Sequence, residues 1–149
     1  MAEGMQRGSI EIDAAPAVVM EEIADFESYP DWTGEIKKAE IRKRDAQKRG
    51  KQVYYEVAMG PLKADYVLDY TYSANDAGVS WTMLEGNGVR KIEGEYQLES
   101  LAGGKRTKVT YEMTVESPLP MPGFMRRQVE RKAIDVALKG LKKRVESKR

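Results

Sequence analysis

The sequence contains no cysteine and no histidine. The first absence removes disulfides, thiolate nucleophiles and cysteine-ligated metals. The second removes the usual general base of a catalytic triad and the commonest metal ligand. No stretch approaches the ~18 consecutive apolar residues that a membrane-crossing helix needs. The start, Met1-Ala2-Glu3-Gly4-Met5-Gln6-Arg7, has neither the basic nor the apolar segment of a secretory signal. No repeat, low-complexity tract or linker interrupts the chain. The expectation is a cytoplasmic protein with no metal and no cofactor, in which any catalysis falls to Asp, Glu, Tyr, Lys or Arg. What is present fits one domain over residues 1–149: the chain is 41% hydrophobic and 33% charged, enough for a sizeable core.

The net charge of +1 hides a segregation. Residues 1–36 sum to −8 and residues 37–51 to +6, then residues 52–123 to −4 and residues 124–149 to +7. Solvated surface is one reading of the two basic runs. The other is peripheral contact with anionic lipid headgroups, for which Lys37, Lys38, Arg42, Lys43, Arg126, Arg127 and Arg131 are the candidates. Nucleic acid is not expected as a partner, because no nucleic-acid motif appears and the chain as a whole is not basic.

Ser9-Ile10-Glu11-Ile12-Asp13 alternates polar and apolar residues, the pattern of a half-buried strand. Pro16 opens a helix to about Asp25 with Val19, Ile23 and Phe26 on one stripe, and Tyr29-Pro30-Asp31-Trp32 breaks it into a loop or second short helix. From about Glu35 to Glu116 almost everything reads as strand. Pro118, Pro120 and Pro122 end the sheet. A long helix follows from about Gly123 to Glu146, with Val129, Ala133, Val136, Ala137, Gly140 and Leu141 expected on its inner side.

The turn signals set a register. Asn87-Gly88 predicts a type I′ turn that pairs Glu85 with Arg90, Met83 with Ile92 and Trp81 with Gly94. Gly60-Pro61 predicts a II′ turn that pairs Tyr55 with Tyr66. Loops around Asn75-Asp76 and Gly103-Gly104 bring Tyr70 opposite Trp81 and Tyr96 opposite Tyr111. In this register Tyr55, Tyr66, Tyr70, Tyr72, Tyr96 and Tyr111 share one covered face with Trp81, Met83 and Met113. The opposite face is polar apart from Tyr54, Val67 and Leu84. A slip by one residue would invert both faces, so the register is strongly specified.

Six phenols on a covered face need hydrogen-bond partners that a dry core would struggle to supply. Either the tyrosines fill a core, or they line a cavity holding water or ligand. The small residues Ala133, Ala137 and Gly140 allow space beneath the last helix, although they also permit close packing. Glu85 and Arg90 would meet on the covered face and hold the polar end of a ligand, or else form a solvated pair at the hairpin tip.

The opening strand with Ala15-Pro16 and Val19, then Ile23-Ala24-Asp25-Phe26 and Tyr29-Pro30-Asp31-Trp32, resembles the start of the START-like helix-grip superfamily. Within it the chain looks like the polyketide cyclase/dehydrase and lipid-transport group, which is similar to coenzyme Q-binding proteins. The resemblance covers nearly the whole chain and implies an α+β helix-grip fold. In it a curved antiparallel sheet of six or seven strands wraps around a long C-terminal helix, with two short helices after the first strand. It implies a cavity between sheet and helix whose mouth would hold Trp32, Pro120, Met121, Phe124 and Met125. No family catalytic motif matches residue by residue, so no catalytic residue is assigned. Three functions stay open: binding or transport of a hydrophobic molecule such as a lipid, isoprenoid quinone or polyketide-like aromatic; an aromatase/cyclase or dehydratase using Tyr, Arg90 and Glu85; and a protein-interaction module.

Overall fold

The computed structural model describes residues 6–59, 62–116 and 122–148. Strand β1 (Gln6–Ile12) leads into helix α1 (Pro16–Ile23) and a short 3-10 helix over Phe26–Asp31. Six strands follow: β2 (Ile36–Arg44), β3 (Gly50–Met59), β4 (Leu62–Tyr72), β5 (Gly78–Asn87), β6 (Lys91–Leu101) and β7 (Arg106–Glu116). Helix α2 (Gly123–Ser147) ends the described chain. The seven strands form one curved antiparallel sheet in the order β1-β7-β6-β5-β4-β3-β2, the helix-grip arrangement that the sequence pattern implies.

Each strand from β2 to β7 is a hairpin neighbour of the next, so the turns dictate the register. Tyr55 pairs with Tyr66, Tyr70 with Trp81, Trp81 with Gly94 and Tyr96 with Tyr111, as the turn chemistry predicts. The Gly60-Pro61 turn itself lies outside the described residues, as do Pro118, Pro120 and Met121. Just before α1, the Thr107 hydroxyl donates to the Ala14 carbonyl at 2.7 Å and pins the turn between β1 and α1 to the sheet.

One tip departs from expectation. The β5–β6 ladder ends at Thr82 opposite Glu93, and β5 then follows β4 alone. Leu68 pairs with Met83 but Val67 pairs with Glu85, so Leu84 is an extra residue in a bulge and is 54% exposed. A bulge of one residue turns the following side chain to the other face. Glu85 therefore points to the outer side, Arg90 is exposed, and the Arg90 amide donates to the Glu116 carbonyl at 2.8 Å. Gly88 has φ +81° while Asn87 keeps an ordinary negative φ, which excludes the type I′ turn. The inward Glu85–Arg90 pair is not formed.

Helix α2 is also rotated relative to the expected inner face. Glu130, Ile134, Leu138, Leu141 and Val145 are buried, while Val129 and Val136 are each 46% exposed. The helix carries two apolar stripes, and the one with larger side chains takes the sheet. It lies along β1 and β7, the edge of the sheet, and touches α1. Gly8 on β1 permits this approach, since a β-carbon there would stand 2.7 Å from Ile134 Cγ2. Two residues expected on the solvent face are buried for related reasons. Glu112 lies under Arg7 of the neighbouring strand, and Thr114 donates to Glu130 of α2.

The far end of α2 is clamped to α1 by charge. Arg144 Nε and Lys148 Nζ approach the two oxygens of buried Glu22 at 2.9 and 3.1 Å. Burial alone would raise the Glu22 carboxyl, but bonds and charge from Arg144 and Lys148 outweigh it and hold it below 4.5. A carboxylate lowered in the fold adds stability above its unfolded value and loses it as pH falls through the folded one. Replacing Glu22 with Gln is therefore expected to cost about 1–3 kcal/mol near neutral pH. In urea unfolding, the gap to the wild type should narrow as pH falls below about 4.5 and close once the folded carboxyl is protonated. A gap independent of pH would make Glu22 a packing residue instead.

Candidate functional site

The concave face of the sheet is organised by aromatic rings in continuous contact. Phe26, Tyr29 and Trp32, from the 3-10 helix and the residue after it, meet Tyr55, Tyr66, Tyr70, Trp81, Tyr96 and Tyr111 from the strands. Centroid separations run from 4.5 Å for Phe26–Tyr70 to 6.3 Å for Tyr29–Tyr55, in tilted, edge-on and stacked arrangements. Such pairs contribute about 0.5–1.5 kcal/mol beyond their buried area. The six strand residues sit on alternate positions of neighbouring strands, so the register delivers them to one side together. In the sequence Tyr29 and Phe26 belong to the helix break and the apolar stripe, and only their spacing to Trp32, at intervals of three, marks them as site residues.

The phenols divide into two sets. Tyr55 and Tyr70 share a hydrogen bond at 2.6 Å, Tyr29 donates to the Ile23 carbonyl, and Tyr72 donates to the Gly50 carbonyl at 2.8 Å. The hydroxyls of Tyr66, Tyr96 and Tyr111 make no hydrogen bond among the described residues. Burial raises all three phenols above their usual value near 10, Tyr66 to about 12. Tyr96 and Tyr66 both add to the shift of Tyr111, which places these hydroxyls within electrostatic reach of one another. A phenol with a raised pKa stays protonated and acts as a hydrogen-bond donor or acceptor, not as a base.

Trp32 is the second unsatisfied group. Its Nε1 is buried and has no hydrogen-bond partner. The opposite edge of the indole, Cε3 and Cζ3, lies 3.4 Å from where a Gly140 β-carbon would stand. The space expected beneath Gly140 is thus filled by Trp32. This also separates Trp32 from Phe124 and Met125 as a mouth: sixteen residue steps of α2, about 24 Å of helix at 1.5 Å each, separate Phe124 from Gly140.

The inner face is not sealed. Tyr66, Met83 and Tyr111 belong to the concave core yet stay partly exposed, as do Ala133 and Ala137 on α2. Helix α2 makes most of its strand contacts with β1 and β7 rather than with the middle strands. Met113, opposite Gly94, is buried at the floor. Two surface depressions of about 320 and 240 Å³ open elsewhere on the sheet, one lined by Asp69, Thr71, Thr82, Glu93 and Glu95 and reaching Trp81, the other lined by Asp65, Val67, Glu85 and Asn87 and reaching Tyr66. Neither is the enclosed space expected beneath α2. Glu130, 1% exposed, ties the head of α2 to β7: its Oε2 accepts from the Val115 amide at 2.7 Å and Thr114 Oγ1 at 3.2 Å. Its role was not foreseen, because a lone Glu in a charged helix carries no sequence signal. Among the described residues there is no cluster of carboxylates able to hold a metal ion and no helix long and apolar enough to cross a membrane.

Comparison with known proteins follows the same outline. No curated protein matches the sequence. A START superfamily protein from Mycobacterium smegmatis superposes with a TM-score of 0.88 at 25% identity, covering 97% of this chain and 99% of that one. An aromatase/cyclase from a Streptomyces species superposes with a TM-score of 0.75 at 18% identity, covering 95% and 93%. A di-domain aromatase/cyclase from the steffimycin biosynthetic pathway, 15% identical, aligns with 95% of this chain and 46% of its own at a TM-score of 0.68. The last two share the fold; neither is similar enough in sequence to carry more. The family profile described as polyketide cyclase/dehydrase and lipid transport matches residues 12–142, and with the helix-grip sheet and its C-terminal helix this places the chain in that family.

Proposed function

We propose that this protein binds and carries a hydrophobic small molecule in the groove between the concave aromatic face and α2. The observation that carries the reading is the buried Trp32 indole nitrogen, which has no protein partner, beside the Tyr66, Tyr96 and Tyr111 hydroxyls on a face that stays partly open. A buried donor without a partner costs about 1–3 kcal/mol, so a ligand that satisfies it gains that much relative to an empty groove. Lipids and polyketide-like aromatics are the classes the family description names, and an isoprenoid quinone is a further candidate of the same apolar kind. A cyclase or dehydratase reading draws on the aromatase/cyclases of the same fold. Against it, Glu85 and Arg90 lie outside the groove and no tyrosine is lowered toward neutrality.

The groove reading is tested with N-phenyl-1-naphthylamine, a neutral fluorescent probe. Ala137→Leu should lower its affinity about tenfold, the equivalent of ~1.4 kcal/mol of lost fit. Unfolding stability should change by less than about 1 kcal/mol, because Ala137 is only half-buried. Unchanged probe affinity would contradict the site. Gly140→Leu is the contrasting case, since it collides with Trp32 and should cost stability directly. An ultraviolet absorbance titration separates binding from catalysis: no tyrosine should ionise below about pH 10. One phenol titrating near neutrality would favour the cyclase.

Loading from a lipid surface extends the same reading. At the head of α2, Phe124 is 60% exposed and Met125 and Val129 are 45% and 46% exposed. Arg127 and Arg131 are exposed beside them. Each basic residue near an anionic bilayer contributes about 1 kcal/mol. Co-sedimentation should be seen with anionic vesicles, not neutral ones, and should fall as salt rises from about 0.1 M to about 1 M, where the Debye length shortens from ~10 to ~3 Å. Equal, negligible binding to both would leave these charges as solvated surface.

A further inference from the structure

We infer that the Trp32 indole N–H is a specificity-determining hydrogen-bond donor, anchoring a carbonyl oxygen of a neutral ligand in the groove. The inference rests on the binding reading above and sharpens it to a ligand chemistry. Hydroxyls of Tyr66, Tyr96 and Tyr111 can each donate or accept, so they select no particular group. An indole N–H only donates. A ligand meeting Trp32 must therefore bring an acceptor.

The geometry turns that donor away from Gly140 and buries it. The Cε3–Cζ3 edge of the indole faces Gly140 on α2, and Nε1 lies on the opposite edge of the ring. The ring is fixed from the other side by an edge-on contact with Tyr29, centroids 5.3 Å apart at 73°. Tyr29 in turn touches Tyr55, and Tyr55 touches Tyr66. The indole is thus held at both faces of its environment while its one polar atom stays buried and unsatisfied. Rings that serve only packing usually place this N–H against a carbonyl or water.

The same surroundings argue for a neutral ligand. The buried carboxylates of the described chain are held elsewhere: Glu22 by Arg144 and Lys148, Glu112 by Arg7, and Glu130 by the end of β7 through Oε2, with its Oε1 facing Arg126 at 3.9 Å. Among the described residues no lysine or arginine is fully buried among the aromatic rings to receive an anionic headgroup or a fatty carboxylate. Donors without charge suit a ketone or quinone oxygen on an apolar, aromatic-sized frame.

Fluorene and 9-fluorenone have the same tricyclic shape and differ by one carbonyl, so they isolate the acceptor. Trp32→Phe keeps a ring against Gly140 and removes the N–H. Binding by equilibrium dialysis should show the fluorenone-to-fluorene affinity ratio falling about fivefold to tenfold in W32F, the value of one neutral hydrogen bond. Unfolding stability should change little, since removal of an unsatisfied donor offsets the ring volume lost. A second readout needs no variant: in wild-type protein the Trp32 indole proton should shift downfield with fluorenone and not with fluorene. An unchanged ratio, or an indole proton indifferent to fluorenone, overturns the anchor while leaving the groove intact. Failure of the wild type to bind either compound overturns the anchor and the binding reading together.

Discussion

The contact between aromatic rings on the concave face is the interaction on which the rest depends. It joins segments that are distant in sequence: the residues just after α1 and strands β3 to β7. Phe26 against Tyr70 and Tyr29 against Tyr55 hold the 3-10 helix onto the sheet. Trp81 against Tyr96 and Tyr111 holds β5, β6 and β7 to a common curvature. Aliphatic side chains could fill the same volume, but they would not bring hydroxyls with them. The choice of tyrosine makes one face serve as both core and polar lining.

Helix α2 does a different task. Its large side chains go to β1 and β7, and charged residues fasten it at both ends, Glu130 to the sheet and Glu22 to Arg144 and Lys148. What it leaves toward the middle strands is small or half-exposed. A helix placed over the centre of the sheet would have closed the face, as in an ordinary two-layer core. Placement at the edge is what keeps Tyr66 and Tyr111 reachable.

Much of this was legible from residues alone, because strand alternation has a period of two and one face is buried. Tyr55 opposite Tyr66 and Tyr96 opposite Tyr111 followed from turn residues and counting. Counting failed at Leu84, where one extra residue in β5 reversed the direction of Glu85. Nothing in the sequence marks that bulge, since Asn87-Gly88 signals a tight hairpin equally well. The face of α2 was misjudged because Ala133, Ala137 and Gly140 form as regular a stripe as Ile134, Leu138 and Leu141. Which stripe packs is decided by the volume that β1 and β7 leave open, and Gly8 supplies that space. Trp32 was assigned to the cavity mouth with Phe124 and Met125; only the three-dimensional contact with Gly140 separates them.

The central claim is that the concave face, rather than the outer depressions, receives an apolar ligand. Nuclear Overhauser contacts to bound N-phenyl-1-naphthylamine test it most directly. The account predicts contacts from the ligand to the Ala133 and Ala137 methyls and to the ring protons of Tyr66 and Tyr111. Contacts confined to the outer-face methyls of Thr71 and Thr82, in the depression on the other side of the sheet, would contradict it.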